Sequence, residues 1–142
     1  LLERVHSFFE ARLPGDQGQN RLPSQYKVAP ILKKLSKERG WQYRFLADGV
    51  FFMTKTTPRG QTLKLTADSG PSRYDTGFYL DFQGVGYSHR LWTAVYLPTS
   101  QEELDRATEE VFAAAAEFEE SPLLRELTDH FPEVPDWFLP DC

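Results

Sequence analysis

The apolar positions of this 142-residue chain change period twice. From Leu1 to Leu13, Leu1, Leu2, Val5, Phe8, Phe9 and Leu13 recur at helical spacing, with Glu3, Arg4, Ser7 and Glu10 opposite, which predicts an amphipathic helix. Pro14-Gly15 ends it, and the polar Gly-, Gln- and Pro-rich stretch 14–25 predicts a mobile loop. A second helix is expected from Ala29 to Arg39. Pro30 suits its first turn, Ile31, Leu32 and Leu35 form its stripe, and Gly40 follows its end.

The period then drops to two. Trp41, Tyr43 and Phe45 alternate with Gln42 and Arg44, predicting a strand. Asp48-Gly49 is a hairpin signal with Val50 to Thr56 as the return strand. Thr57 to Gly60 is a second turn and Gln61 to Ala67 a third strand. After a loop from Asp68 to Thr76, strands are expected over Gly77–Gln83 and about His89–Leu97. Gly84 and Gly86 between them suit a turn or bulge.

Beyond Pro98 the helical period returns. Ser100 and Glu103 have the spacing of a capping box, and Leu104, Ala107, Val111, Phe112, Ala115 and Phe118 make a long stripe. Ser121-Pro122 starts a further helix that Pro132 ends, and Trp137, Phe138 and Leu139 sit in a proline-rich tail. Strands joined by short turns are antiparallel neighbours, and strands grouped between helices predict an α+β fold. The expected architecture is one domain over 1–142, an antiparallel meander of about five strands between an N-terminal and a C-terminal helix pair.

Eleven Phe, six Tyr and three Trp supply ample material for one core. Both faces of several strands are apolar. Val50 to Met53 is apolar throughout, and Trp92, Ala94 and Tyr96 oppose Leu91, Val95 and Leu97. The second sheet face must therefore be covered by helices or present an apolar patch to a partner.

Charge adds a second division. Residues 100–142 carry 13 acids and two bases, whereas residues 1–99 carry eight acids and 14 bases, within a net charge of −5. The two halves either neutralise each other or offer patches to oppositely charged partners.

Candidate chemistry is sparse. His6, His89 and His130 have no helical metal-ligand spacing, the single cysteine is Cys142, and no catalytic residue, metal or cofactor is assigned. No apolar run approaches the roughly 20 residues of a membrane span. No signal-peptide pattern opens the chain, and a cytoplasmic location is expected. Ser88-His89-Arg90 is expected in a turn, with Asp81 on the preceding strand. Gly84-Val85-Gly86 lacks the following helix that a phosphate cradle needs.

The pattern favours a non-catalytic protein-binding module over an enzyme. Glu102, Glu103, Asp105, Glu109 and Glu110 would steer a partner with a basic surface, and Trp92, Tyr96 and Trp137 would anchor it. The layout is similar in theme to small bacterial toxin-neutralising (immunity) proteins and to protein-specific chaperones, with no motif residue carrying the likeness. A homodimer is compatible with the same apolar face. The alternative is a small enzyme or ligand-binding protein with a pocket holding His89, Asp81 or Tyr87. A third reading is nucleic-acid binding through residues 27–64, where Arg44, Lys55, Arg59 and Lys64 accompany Tyr43, Phe51 and Tyr79.

Overall fold

The computed structural model describes residues 1–13, 26–69 and 76–131. Within them lie α1 (Leu2–Glu10), α2 (Ala29–Arg39), β1 (Gln42–Ala47), β2 (Val50–Thr56), β3 (Thr62–Asp68), β4 (Thr76–Gly84), β5 (Tyr87–Tyr96), α3 (Gln101–Glu120) and α4 (Pro122–His130). The strands form one antiparallel sheet in the order β1-β2-β3-β4-β5, so the α+β meander between two helix pairs is as expected. The loop 14–25 and the tail bearing Trp137 fall outside the described residues, as does most of the 68–76 loop.

Local chemistry fixes the joints. Asp48 and Gly49 both have positive φ, 53° and 76°, as a two-residue hairpin turn of this hand requires. Gly40 ends α2 in the left-handed region, and the Trp41 N–H donates to the Ser36 carbonyl at 2.9 Å. Ser100 caps α3 by accepting from the Glu103 N–H at 3.0 Å. The other arm of the expected capping box is redirected, because the Glu103 carboxylate takes the Thr99 hydroxyl.

Cross-strand register sorts the sheet into two faces. Phe51, Ala67, Phe78 and Ala94 align across one face, as do Met53, Leu65, Leu80 and Trp92. All eight side chains are buried. The helices pack here: Phe9 of α1 meets Trp92 at 6.4 Å between ring centroids, and Lys55 Nζ reaches Glu119 of α3 at 3.1 Å. Phe131, just past α4, meets Phe82 at 6.2 Å. Burying this apolar area is the main stabilising term of the fold.

The opposite face carries Arg44, Phe52, Thr66, Tyr79 and Thr93 in one row, with Thr54, Lys64, Asp81 and Arg90 in the next. Among the described residues no helix packs a ring against it. Lys64 lies over Phe52 at 4.6 Å and Arg90 over Tyr79 at 4.7 Å, while Arg90 also bonds Asp81 at 3.1 Å. The two-sided apolarity of the sequence thus resolves into one helix-covered face and one face of cation–aromatic pairs.

β5 begins two residues earlier than expected. Gly86, at φ 84°, completes the turn, so Ser88-His89-Arg90 is strand and not turn. The irregularity falls instead at Leu91, which has no partner between the pairs Leu80–Trp92 and Asp81–Arg90.

Candidate functional site

The five acids expected to steer a partner all lie on the first half of α3, where Leu104, Ala107, Thr108, Val111 and Phe112 point into the core and leave one helix face to water. Glu102 pairs with Arg106 at 3.3 Å, and Asp105 accepts from Gln101 Nε2 at 2.9 Å. Glu109 and Glu110 are exposed and form no ion pair with a described residue. Asp105 and Glu109 border an open groove with Lys27 and Lys34 of the α2 region on its other side.

The aromatic anchors expected to act with these acids are buried, where they lie among the described residues. Trp92 and Tyr96 are only 6% and 5% exposed, because their strand turns them toward the helices, where Trp92 packs on Phe9 and Tyr96 on Phe78. They are core residues and offer no surface to a partner. Trp137 lies outside the described residues. The Tyr96 hydroxyl is buried without a hydrogen-bond partner, and burial, reinforced by Glu110, pushes its pKa well above the usual tyrosine value.

Of the residues expected to share a catalytic pocket, Tyr87 and His89 lie together, 5.3 Å between ring centroids, and Asp81 does not join them. His89 belongs to the helix-covered face, stacked on Phe131 at 4.6 Å, whereas Asp81 is on the opposite face with Arg90. Tyr87 donates to the Phe131 carbonyl at 3.1 Å. None of the three borders the cavity of about 530 Å³ between the β2–β3 turn and the α3–α4 junction, which is lined by Thr57, Arg59, Leu63, Glu119, Leu124 and Asp129. Gln61, bonded to the lining residue Thr57, is itself buried. It takes the Thr57 hydroxyl and donates to the Phe131 carbonyl at 2.8 Å, which makes it a structural strut. Among the described residues no group of three or more His, Cys, Asp or Glu side chains could hold a metal ion. No helix there is long and apolar enough to cross a membrane.

The proposed stacking platform is likewise divided. Tyr43, Phe51 and Lys55 face the helices, and only Arg44, Lys64 and Tyr79 share the other face. Among the described residues the basic and acidic halves meet through three ion pairs, Arg4–Glu126, Arg12–Glu117 and Lys55–Glu119.

What the sequence did not single out is the outer edge of β1. The meander leaves two edge strands. β5 is flanked by α1, whose His6 ring nitrogen contacts the Arg90 carbonyl oxygen at 3.1 Å. β1 pairs only with β2 and is exposed at Gln42, Arg44, Phe45, Leu46 and Ala47. Phe45 is 56% and Leu46 51% exposed, although Phe45 still touches Phe51 at 5.3 Å. Leu46 is the unpaired residue of a bulge, since Phe45 opposes Phe51 and Ala47 opposes Val50. The one signal for this was the run Phe45-Leu46-Ala47, which breaks the two-residue alternation just before the turn. Comparison with protein-family models, with curated proteins and with solved structures finds no match.

Proposed function

We propose that the protein is a non-catalytic protein-binding module whose contact surface is the outer edge of β1. The observation that supports this is the exposure of Phe45 and Leu46 on a strand whose second edge is open. Only one other large apolar side chain among the described residues is as exposed, Val85 in the β4–β5 turn. An open edge offers unpaired backbone donors and acceptors, and the flanking rings offer apolar area. Burying one such side chain contributes about 1.5–3 kcal/mol. An immunity-type neutraliser of a bacterial toxin, or a chaperone of one client in the cytoplasm, is a concrete form of this role.

The test is a photo-crosslinking amino acid in place of Phe45, compared with the same group in place of Val85, in cells of the source organism. A discrete adduct from position 45 and none from position 85 is the expected outcome. Equal labelling from both positions, or no adduct from 45, would refute a docking role for β1.

A second reading places a basic partner on α3, and the exposed Glu109 and Glu110 favour it. Charges of this kind act mainly on the association rate. For a partner bound there, reversing Glu102, Glu103, Glu109 and Glu110 to Lys slows association at least tenfold, and added salt mimics the effect. An on-rate indifferent to both would remove α3 from the contact.

A further inference from the structure

We infer that β1 accepts an extended segment of alternating acidic and apolar residues, added as a sixth strand, and not a second copy of this chain. The inference rests on the reading of β1 as a docking edge and specifies the occupant.

The backbone sets the form. In an antiparallel strand, alternate residues direct both N–H and C=O away from the existing partner. Across Gln42–Phe45 no described residue takes those groups. The bulge at Leu46 interrupts regular pairing, which confines an added strand to about four residues. Four residues span only about 13 Å, so few backbone bonds form and side chains must decide the partner.

The side chains around this edge are cationic. Residues 27–47 hold six bases and a single acid, Glu38. α2 packs beside β1, and its Lys33, Lys37 and Arg39 are exposed, as is Arg44 on the strand itself. Lys33 Nζ lies 5.8 Å from the Tyr43 ring. Lys37, Arg39 and Arg44 form no ion pair with any described residue, in contrast to Arg4, Arg12 and Lys55, which are tied to α3 and α4. Asp48 at the hairpin tip is a second acid next to the strand. A partner entering here meets positive charge from both the helix and the strand.

Register then assigns the two faces of the segment. Tyr43 and Phe45 align with Met53 and Phe51 on the helix side, and Gln42 and Arg44 align with Thr54 and Phe52 on the open side. Side chains of an added strand alternate likewise. Those beside Tyr43 and Phe45 gain by being apolar. Those beside Arg44 gain by being acidic, because opposite charges across a strand pair attract and like charges repel. A second copy is penalised by the same rule. Antiparallel pairing of β1 with itself about a two-fold axis brings Arg44 toward its own mate and one cationic α2 surface toward the other.

The experiment uses the full chain and three blocked octapeptides that alternate Val with Glu, Val with Lys, or Val with Gln. Amide hydrogen exchange and chemical shifts of Gln42–Phe45 report the site, and anisotropy of labelled peptide reports affinity. The expected result is slowed exchange in β1 with the Glu peptide and at least tenfold weaker binding of the Lys peptide. R44E should narrow or invert that preference, with its circular dichroism unchanged because the residue is exposed. Equal binding of all three peptides at β1 overturns the acidic preference and leaves the docking edge standing. A dimer seen in sedimentation and abolished by F45K also overturns the occupant alone. An adduct from position 45 with no peptide effect on β1 rejects the extended acidic segment. No peptide effect together with no adduct rejects the docking edge itself.

Discussion

At the scale of single residues, two hydroxyls behave oppositely, one half-exposed and bonded, the other buried and unbonded. The Ser100 hydroxyl accepts from the Glu103 N–H and satisfies one of the donors that every helix start leaves open. Ser100→Ala is expected to cost about 1 kcal/mol, read as a shifted urea midpoint with unchanged slope. The Tyr96 hydroxyl is buried with no partner, so its desolvation is uncompensated. Tyr96→Phe removes that group while keeping the ring on Phe78, and stability should hold or rise by up to about 1 kcal/mol. The same residue sets an alkaline limit. Its folded pKa is raised above the usual 10.0, as is that of Tyr43 in the same direction through burial. Above pH 10 the unfolded chain releases a proton that the folded chain keeps. The native state then binds more protons, and stability falls as pH rises. Tyr96→Phe should flatten the decline in chemical-denaturation stability above pH 10. An unchanged slope would mean that Tyr96 is not the group responsible.

At the scale of elements, the ion pairs that join the basic and acidic halves differ in their surroundings. Arg4–Glu126 joins exposed side chains of α1 and α4, whereas Lys55 and Glu119 are mostly covered, and Lys55 also lies 5.1 Å from the Trp41 ring. An exposed pair contributes little because water screens it and two long side chains must be ordered. Arg4→Ala should therefore change stability by less than about 0.5 kcal/mol. Lys55→Ala loses a screened-off pair, a cation–π contact and the packing of its stem, and about 1–2 kcal/mol is expected. Equal costs in urea titrations would contradict this ranking. The elements themselves were legible because each rests on local chemistry: Asp48-Gly49 for the hairpin, Gly40 for the end of α2, Ser100 for the start of α3. The docking edge was not. Alternation places Tyr43 and Phe45 on one face, but only the strand order makes β1 an edge, and only the limited reach of α2 leaves Phe45 uncovered. Trp92 and Tyr96 failed as anchors for the converse reason. Their strand alternates correctly, yet alternation does not say which face the helices choose.

At the scale of the molecule, segregated charge predicts behaviour that the net charge conceals. Among the described residues three ion pairs bind the halves together, but the cations of α2 and β1 and the acids of early α3 remain on the surface. At 0.01 M salt the Debye length is about 30 Å, comparable with the width of the protein, so a charged matrix feels the net −5. At 0.1 M it shrinks to about 10 Å, and a matrix touching the α2–β1 surface feels chiefly Lys33, Lys37, Arg39 and Arg44. A protein with a sequence pI near 5.2 should therefore be retained weakly by a cation exchanger at pH 7, and more at 0.1 M salt than at 0.01 M. This inversion follows only if the patch acts locally, because a uniformly spread charge of the same sign would be repelled throughout. Replacing Lys37 and Arg44 with Glu should abolish retention without changing elution from an anion exchanger by more than the added charge explains. Flow-through of the unmodified protein at every salt concentration would show that the acids of α3 dominate even the basic face, and that β1 has no electrostatic preference for an acidic partner.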